Sequence, residues 1–294
     1  MSGDSSPTMP ILAAVAGIAL YSAMDAVIKG AALVIGAYSA YMLRCAIGAA
    51  AIGPVWWWRE RRMPRGNVLR LHLIRGTVVA FMGWTFFAAL VRLPLAEAIA
   101  ISFVAPLLAL YLAHMVLGED IRRRSVFGSI MGLAGVFAIV GGRIGRQALD
   151  MEAGIGIALV LFSAMLFAWN LILQKQQAAV SSPLEASTFQ NFVVACVLSL
   201  GAPFLLTLPN EEVWILLAGG AALAIGASML FIWAYARAET QQLVPIEYTG
   251  FLWASLLGWV FFDEGVSTET AVGAVLIVAG CWIATRRRTE QTAI

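Results

Sequence analysis

Long apolar runs separated by short polar breaks set the pattern of this chain. The runs fall at roughly 10–29, 36–57, 71–91, 95–117, 124–141, 153–174, 185–207, 212–236, 241–262 and 269–285. A helix rises about 1.5 Å per residue and the hydrocarbon core of a bilayer is about 30 Å thick, so about 20 apolar residues make one span. The pattern therefore predicts an all-α integral membrane protein with ten transmembrane helices. These use nearly all of the 294 residues and leave no stretch for a soluble catalytic domain.

Composition agrees: 61% of residues are hydrophobic, 12% are charged, and mean hydropathy is +0.85. Net charge is only +2, which gives no reason to expect nucleic acid as a partner. The position of the basic residues says more than their sum. With the N-terminus inside, Arg59, Arg61, Arg62, Arg65, Arg70, Arg122, Arg123, Arg124, Lys175, Arg237, Arg286, Arg287 and Arg288 fall on the cytoplasmic side. Lys29, Arg92, Arg143 and Arg146 fall on the other, with Glu211, Glu212, Asp263 and Glu264. The positive-inside rule thus predicts a bacterial-type inner membrane protein with both termini cytoplasmic. No Lys or Arg precedes Lys29, so the first run reads as a retained span rather than a signal peptide. Cys45, Cys196 and Cys281 lie inside predicted spans and read as small packing residues, with neither disulfide nor metal expected.

The chain also repeats itself. Residues 89–143 align without a gap on 234–288, placing Arg92 on Arg237, Glu119 on Glu264, Gly128 on Gly273 and Gly135 on Gly280. Five spans per half is an odd number, so the second half must enter the membrane the other way up. The expected architecture is two inverted five-helix repeats, 1–146 and 147–294. Such duplications surround a single substrate site in many carriers, which open it to either side by alternating access.

Pro106, Leu117-Gly118-Glu119, Gly128 and Gly135, with Phe262-Asp263-Glu264, Gly273 and Gly280, resemble the twin EamA-type domains of the drug/metabolite transporter superfamily. The resemblance covers essentially the whole chain, and within the superfamily it is most similar to YddG-type amino-acid exporters. It implies a secondary transporter that exports amino acids, aromatic or broadly neutral, and related metabolites, as a monomer or homodimer in contact with membrane lipid. Export of another small metabolite or drug, or a channel-like facilitator, is the alternative. The second copy departs from the first in carrying Phe251 where Pro106 stands, its proline being Pro245.

An ionisable residue inside a span costs at least about 2.5–3.5 kcal/mol on insertion scales, which makes each one a candidate for function. Asp25 in the first span and Arg44 in the second belong to a tight hairpin, in which Arg44 is long enough to reach back toward the level of Asp25. They suit the charged groups of an amino acid, or a buried ion pair; an Asp25–Lys29 link is a further structural option. Glu247 beside Tyr248, flanked by Pro245 and Gly250, offers charge and a ring to an ammonium group, or a structural link to His114 or Arg237. Proton coupling through Asp25 or Glu247 is one option, and a facilitator needs neither. Met82, Phe86, Ser102, Phe103, Trp169 and Asn170 complete the candidate substrate-binding set, with Phe162 and Thr85 nearby. Trp169-Asn170 joins a ring, a donor and an amide deep in one span. Aromatic stripes in membrane helices are also ordinary packing or lipid contact. Glu97 lies near a span end, within snorkelling distance of water. Trp56, Trp57 and Trp58 beside Arg59 read as an interfacial belt.

The glycines of spans 5 and 10, Gly128, Gly132, Gly135, Gly273 and Gly280, leave patches where helix backbones can approach, either within the fold or at a dimer face. Glu119 and Glu264 read as caps or salt links near Arg122–Arg124 and Glu269. Pro106, Pro203, Pro245 and Gly250 are candidate bending points. Gly226-Ala227-Ser228-Met229 matches a serine-nucleophile pattern, but neither His72 nor His114 is placed to serve it, so Ser228 reads as packing. No Walker loop, haem cysteine or metal-ligand cluster is present in the sequence, so no cofactor and no enzymatic activity are expected.

Overall fold

A computed structural model describes residues 8–105, 108, 111–112, 115, 123–146, 151–235, 237 and 249–285. Its helices are α1 (Thr8–Ile35), α2 (Ala37–Glu60), α3 (Asn67–Leu90), α4 (Leu95–Ser102), α5 (Arg123–Arg146), α6 (Met151–Ala178), α7 (Pro183–Ser199), α8 (Ala202–Leu205), α9 (Glu211–Tyr235), α10 (Gly250–Phe262) and α11 (Thr268–Thr285). Every expected apolar run holds one of them, wholly or in part. Four have apolar stretches long enough to cross a bilayer, at Met9–Ile35, Asn67–Leu90, Met151–Gln174 and Glu211–Phe231; the apolar stretches of α5, α10 and α11 are shorter.

Local chemistry explains where the helices stop. Gly36, at φ 80°, takes the left-handed conformation that a side chain resists and turns α1 directly into α2. Ser182 caps α7 by accepting the Glu185 N–H at 3.0 Å, and Pro183 occupies the first turn, where its missing N–H costs nothing. Pro203 does not bend α7; it lies in the first turn of the separate helix α8, after a break at Leu200–Gly201. The fourth run is also interrupted. After Ser102 the N–H groups of Phe103 and Val104 bond the carbonyls three residues back, Ala100 and Ile101, at 3.2 Å. Ser102 and Phe103 therefore sit at a helix discontinuity.

The helices pair reciprocally between the halves. Helix α1 packs on α9 as α6 packs on α3, while α2 meets α7, α4 meets α10 and α5 meets α11. At the α5–α11 contact a Cβ added to Gly135 would lie 2.5 Å from the Gly273 carbonyl, and one added to Gly280 would lie 2.4 Å from the Gly128 carbonyl. The helices run antiparallel, backbone against backbone, with the aligned glycines exchanging roles. The glycine faces are thus used inside the fold. Large apolar side chains such as Trp58, Phe137, Phe204, Trp259 and Phe261 are exposed on the outside, as lipid contact requires.

The triple-tryptophan belt needs one correction. Trp57 and Trp58 are exposed, but Trp56 is buried and meets Phe189 edge-on at 5.2 Å. Only two of the three face outward. Glu97 is likewise buried in α4 rather than snorkelled to water.

Candidate functional site

Charged and aromatic groups converge where α1, α2 and α3 meet. Arg44 is buried on α2, its guanidinium 5.1 Å from the centre of the Tyr41 ring and its Nη2 donating to Cys45 Sγ at 2.9 Å; its Nε has no hydrogen-bond partner. Asp25, half-buried on α1, lies within electrostatic reach of Arg44. Among the described residues neither forms an ion pair within 4 Å. One turn before Asp25, Tyr21 feels the charges of Asp25, Arg44 and Arg75 and stacks edge-on against Phe231 of α9 at 6.0 Å. Tyr41 donates to the Val79 carbonyl at 3.0 Å and contacts Phe87, which contacts Phe86. Phe86 thus joins the Arg44 cluster through two rings.

A second polar group joins α3 to α6, and of its members Arg75, Gln174 and Gln177 were not part of the sequence reading. Arg75, buried on α3, donates Nε to Asn170 Oδ1 at 3.0 Å, Nη2 to Gln174 Oε1 at 3.3 Å, and Nη1 to Gln177 Oε1. Gln177 also bonds His72 Nδ1, and His72 Nε2 lies 3.0 Å from Glu185 Oε1 while its ring stacks on Phe189 at 4.7 Å. The signal was available. Positions 170, 174 and 177 share one helical face, and three amides on one stripe of an apolar helix need a donor opposite. Helix α6 continues to Ala178 rather than stopping near 174, which brings Gln177 into the buried set.

The same geometry separates Trp169 from Asn170. Asn170 faces α3, whereas Trp169 lies with Phe162 and Met165 on an exposed stripe. Met82 is half-buried and its carbonyl accepts from Ser163 Oγ at 2.8 Å. The Ser102 hydroxyl bonds the Ile99 carbonyl at 2.7 Å, and Phe103 is buried. Ser228 bonds the Ile225 carbonyl and Ser187 Oγ, a packing arrangement. Glu247, Tyr248, Pro106, Pro245, His114, Glu119 and the Cys281 side chain lie outside the described residues.

Lys29 is not linked to Asp25. It is buried, pairs with Glu264, donates to the Leu93 carbonyl at 3.0 Å, and lies 4.8 Å from the Phe262 ring centre. The other Glu264 oxygen accepts the Leu95 N–H at 2.7 Å. The expected salt link at Glu264 thus exists, with a partner from the opposite half. It ties α1, the α3–α4 turn and the α10–α11 turn together at one end of the bundle.

A model of the EamA-like transporter family matches twice, at residues 8–141 and 154–286. Among curated proteins, the chain is similar to the pseudopaline exporter CntI of Pseudomonas aeruginosa (strain UCBPP-PA14), 26% identical over 92% of this chain and 94% of that one. It is also similar to an S-adenosylmethionine uptake transporter of Rickettsia prowazekii, 24% identical over 71% and 69% of the two chains. The riboflavin transporter of Rhizobium johnstonii is 24% identical over 79% and 72%. A solved crystal structure 21% identical, covering 94% of this chain and 96% of its own, superposes with a TM-score of 0.66 and shares the fold. With both halves matched, an all-helical bundle and transporters on every side, the chain belongs to the EamA-like transporter family and is a multi-pass membrane transporter.

Proposed function

We propose that this transporter is a ten-span carrier, built of inverted repeats 1–146 and 147–294 with both termini cytoplasmic. It exports amino acids, or metabolites carrying an amino-acid head group, across the inner membrane by alternating access. The observation that carries this reading is the Asp25–Arg44 arrangement. An ion pair kept purely for structure is closed, because leaving one partner of a buried pair unmatched costs about 3–5 kcal/mol. Lys29 and His72 each have an acidic partner, whereas among the described residues Asp25 and Arg44 lie within electrostatic reach of each other and form no ion pair. In this reading a zwitterion bridges the two, its carboxylate on the guanidinium of Arg44 and its ammonium on Asp25.

The reciprocal pairing of α1–α9 with α6–α3 supports two halves moving about one site. A relative similar over 92% of this chain is named an exporter, and S-adenosylmethionine, cargo of another, is itself an α-amino acid. The exposed stripe of Phe162, Met165 and Trp169 faces away from α3, so a preference for aromatic cargo is not carried into this reading.

Counterflow in proteoliposomes tests it. Liposomes loaded with unlabelled amino acids should accelerate uptake of the labelled compound, saturably. Losing a hydrogen-bonded charge pair costs about 2–5 kcal/mol, so Arg44→Gln and Asp25→Asn should each raise KM by about 30-fold or more. Exchange of nucleosides or flavins but no amino acid would overturn the assignment.

A further inference from the structure

The last turns of α2 have two unlike faces. Trp56 and Glu60 stand four residues apart, on one face, and turn toward α7. Trp56 meets Phe189 there, and Glu60 accepts a hydrogen bond from the hydroxyl of Ser182, the residue that caps α7. Trp57 and Trp58 point elsewhere and are 54% and 70% exposed. Large rings left uncovered near the end of a membrane helix settle at the level of the lipid head groups. That places the residues that follow them.

The Arg61 N–H still bonds the Trp57 carbonyl at 3.2 Å, and there the backbone leaves the helix through a left-handed φ of 47°. The chain crosses to α3, which starts at Asn67 after a second positive φ at Gly66. Arg59, Arg61, Arg62, Arg65 and Arg70 are all exposed along this short path, as is Met63. The only acid in the stretch 57–70 is Glu60, the residue held against α7. The fold thus sorts the segment, with its acid turned inward and its rings and guanidinium groups outward. A guanidinium meets a phosphate through two parallel N–H bonds, and an interfacial ring covers the upper part of the acyl chain below that phosphate. We propose that the α2–α3 turn is a binding surface for anionic phospholipid, with Arg61, Arg62 and Arg65 on the head groups and Trp57 and Trp58 against the acyl chains. A zwitterionic lipid fits less well, because its own ammonium group already balances its phosphate.

Contact quenching of tryptophan separates such a surface from a charge run that only orients the chain. The full-length protein is placed in nanodiscs of phosphatidylcholine and phosphatidylglycerol at a fixed ratio, with bromine near the head-group end of the acyl chains of one lipid and then of the other. The difference from Trp57→Phe/Trp58→Phe isolates the two rings. Phosphatidylglycerol should out-compete phosphatidylcholine there by about fivefold or more, the effect of a single arginine near an anionic surface. Arg61→Gln/Arg62→Gln/Arg65→Gln should bring that ratio close to one, while lysine at the same three positions keeps the charge and should retain part of the preference. Arg92→Gln, beyond the other end of α3, should leave it unchanged. Equal quenching by the two lipids in the wild-type protein overturns the inference and leaves the arginines to orientation in the membrane or to an acidic protein. A preference that survives the triple glutamine variant, or that falls equally in Arg92→Gln, overturns it too. Thermal unfolding, measured alongside, should be unmoved by these exposed substitutions, which separates a lost preference from a folding defect.

Discussion

Removing the Glu264 carboxylate tests whether the two halves are held together at one end by charge. Lys29 is 3% exposed and Glu264 20%, so neither has much water to fall back on. In Glu264→Ala the ammonium keeps the Leu93 carbonyl and the Phe262 ring but loses its counter-charge, and the Leu95 N–H loses its acceptor. Breaking a buried pair from one side costs about 3–5 kcal/mol. The partial exposure of Glu264 points to the lower end of that range, about 3 kcal/mol. Lys29→Met should cost less, because the acid that remains can hydrate and still accepts from Leu95. The double variant Lys29→Met/Glu264→Ala should be less destabilised than the sum of the singles by at least about 1.5 kcal/mol. Reversible unfolding of purified protein in detergent reads all four corners of the cycle. Additive effects within about 0.5 kcal/mol would refute the argument. So would a Glu264→Ala loss no larger than that of Glu211→Ala, an exposed acid at a helix start.

Further outcomes follow from burial and close approach. Gly135→Ala should destabilise by about 1–3 kcal/mol, because its Cβ meets the Gly273 carbonyl, which cannot swing aside. Gly141→Ala, with nothing within 4 Å, should be neutral or gain up to about 1 kcal/mol of helix propensity; thermal unfolding compares them. Trp56→Ala should cost about 3–5 kcal/mol through the lost contact with Phe189, whereas Trp58→Ala, 70% exposed, should change stability far less. Glu152→Ala removes an exposed partner of Arg92 at 2.8 Å and should shift stability by no more than about 1 kcal/mol in the same assay.

The apolar runs located the helices because lipid imposes one rule, that backbone groups bond within the helix, and run length follows from it. The glycines at a seven-residue spacing pointed to backbone contact, and that is where α5 and α11 meet. Asp25 and Arg44 were legible for the same reason, since a charge in an apolar run stands out. Arg75 did not stand out, because it lies four residues into its run and resembles the basic fringe on the cytoplasmic side. Two of its partners, Asn170 and Gln174, lie inside the predicted span, and the third, Gln177, lies in the part of α6 beyond it. The Lys29–Glu264 pair is separated by 235 positions, and periodicity along one helix carries no information about which turn of another half lies beside it. Trp169 and Asn170 are neighbours in the chain, but neighbours on a helix point about 100° apart, so they could not both face α3.

Helices α5 and α11 bring backbone against backbone at Gly135 with Gly273 and at Gly128 with Gly280, seven residues or about 10 Å apart along each axis, with Gly142 close against the Glu269 side chain beyond them. Close backbone contact at successive turns blocks sliding. A shift of one residue would drive a neighbouring side chain into the opposite carbonyl at both points at once. In the alternating-access reading proposed above, this pair is a fixed bearing about which the remaining helices rotate as one end of the bundle opens and the other shuts.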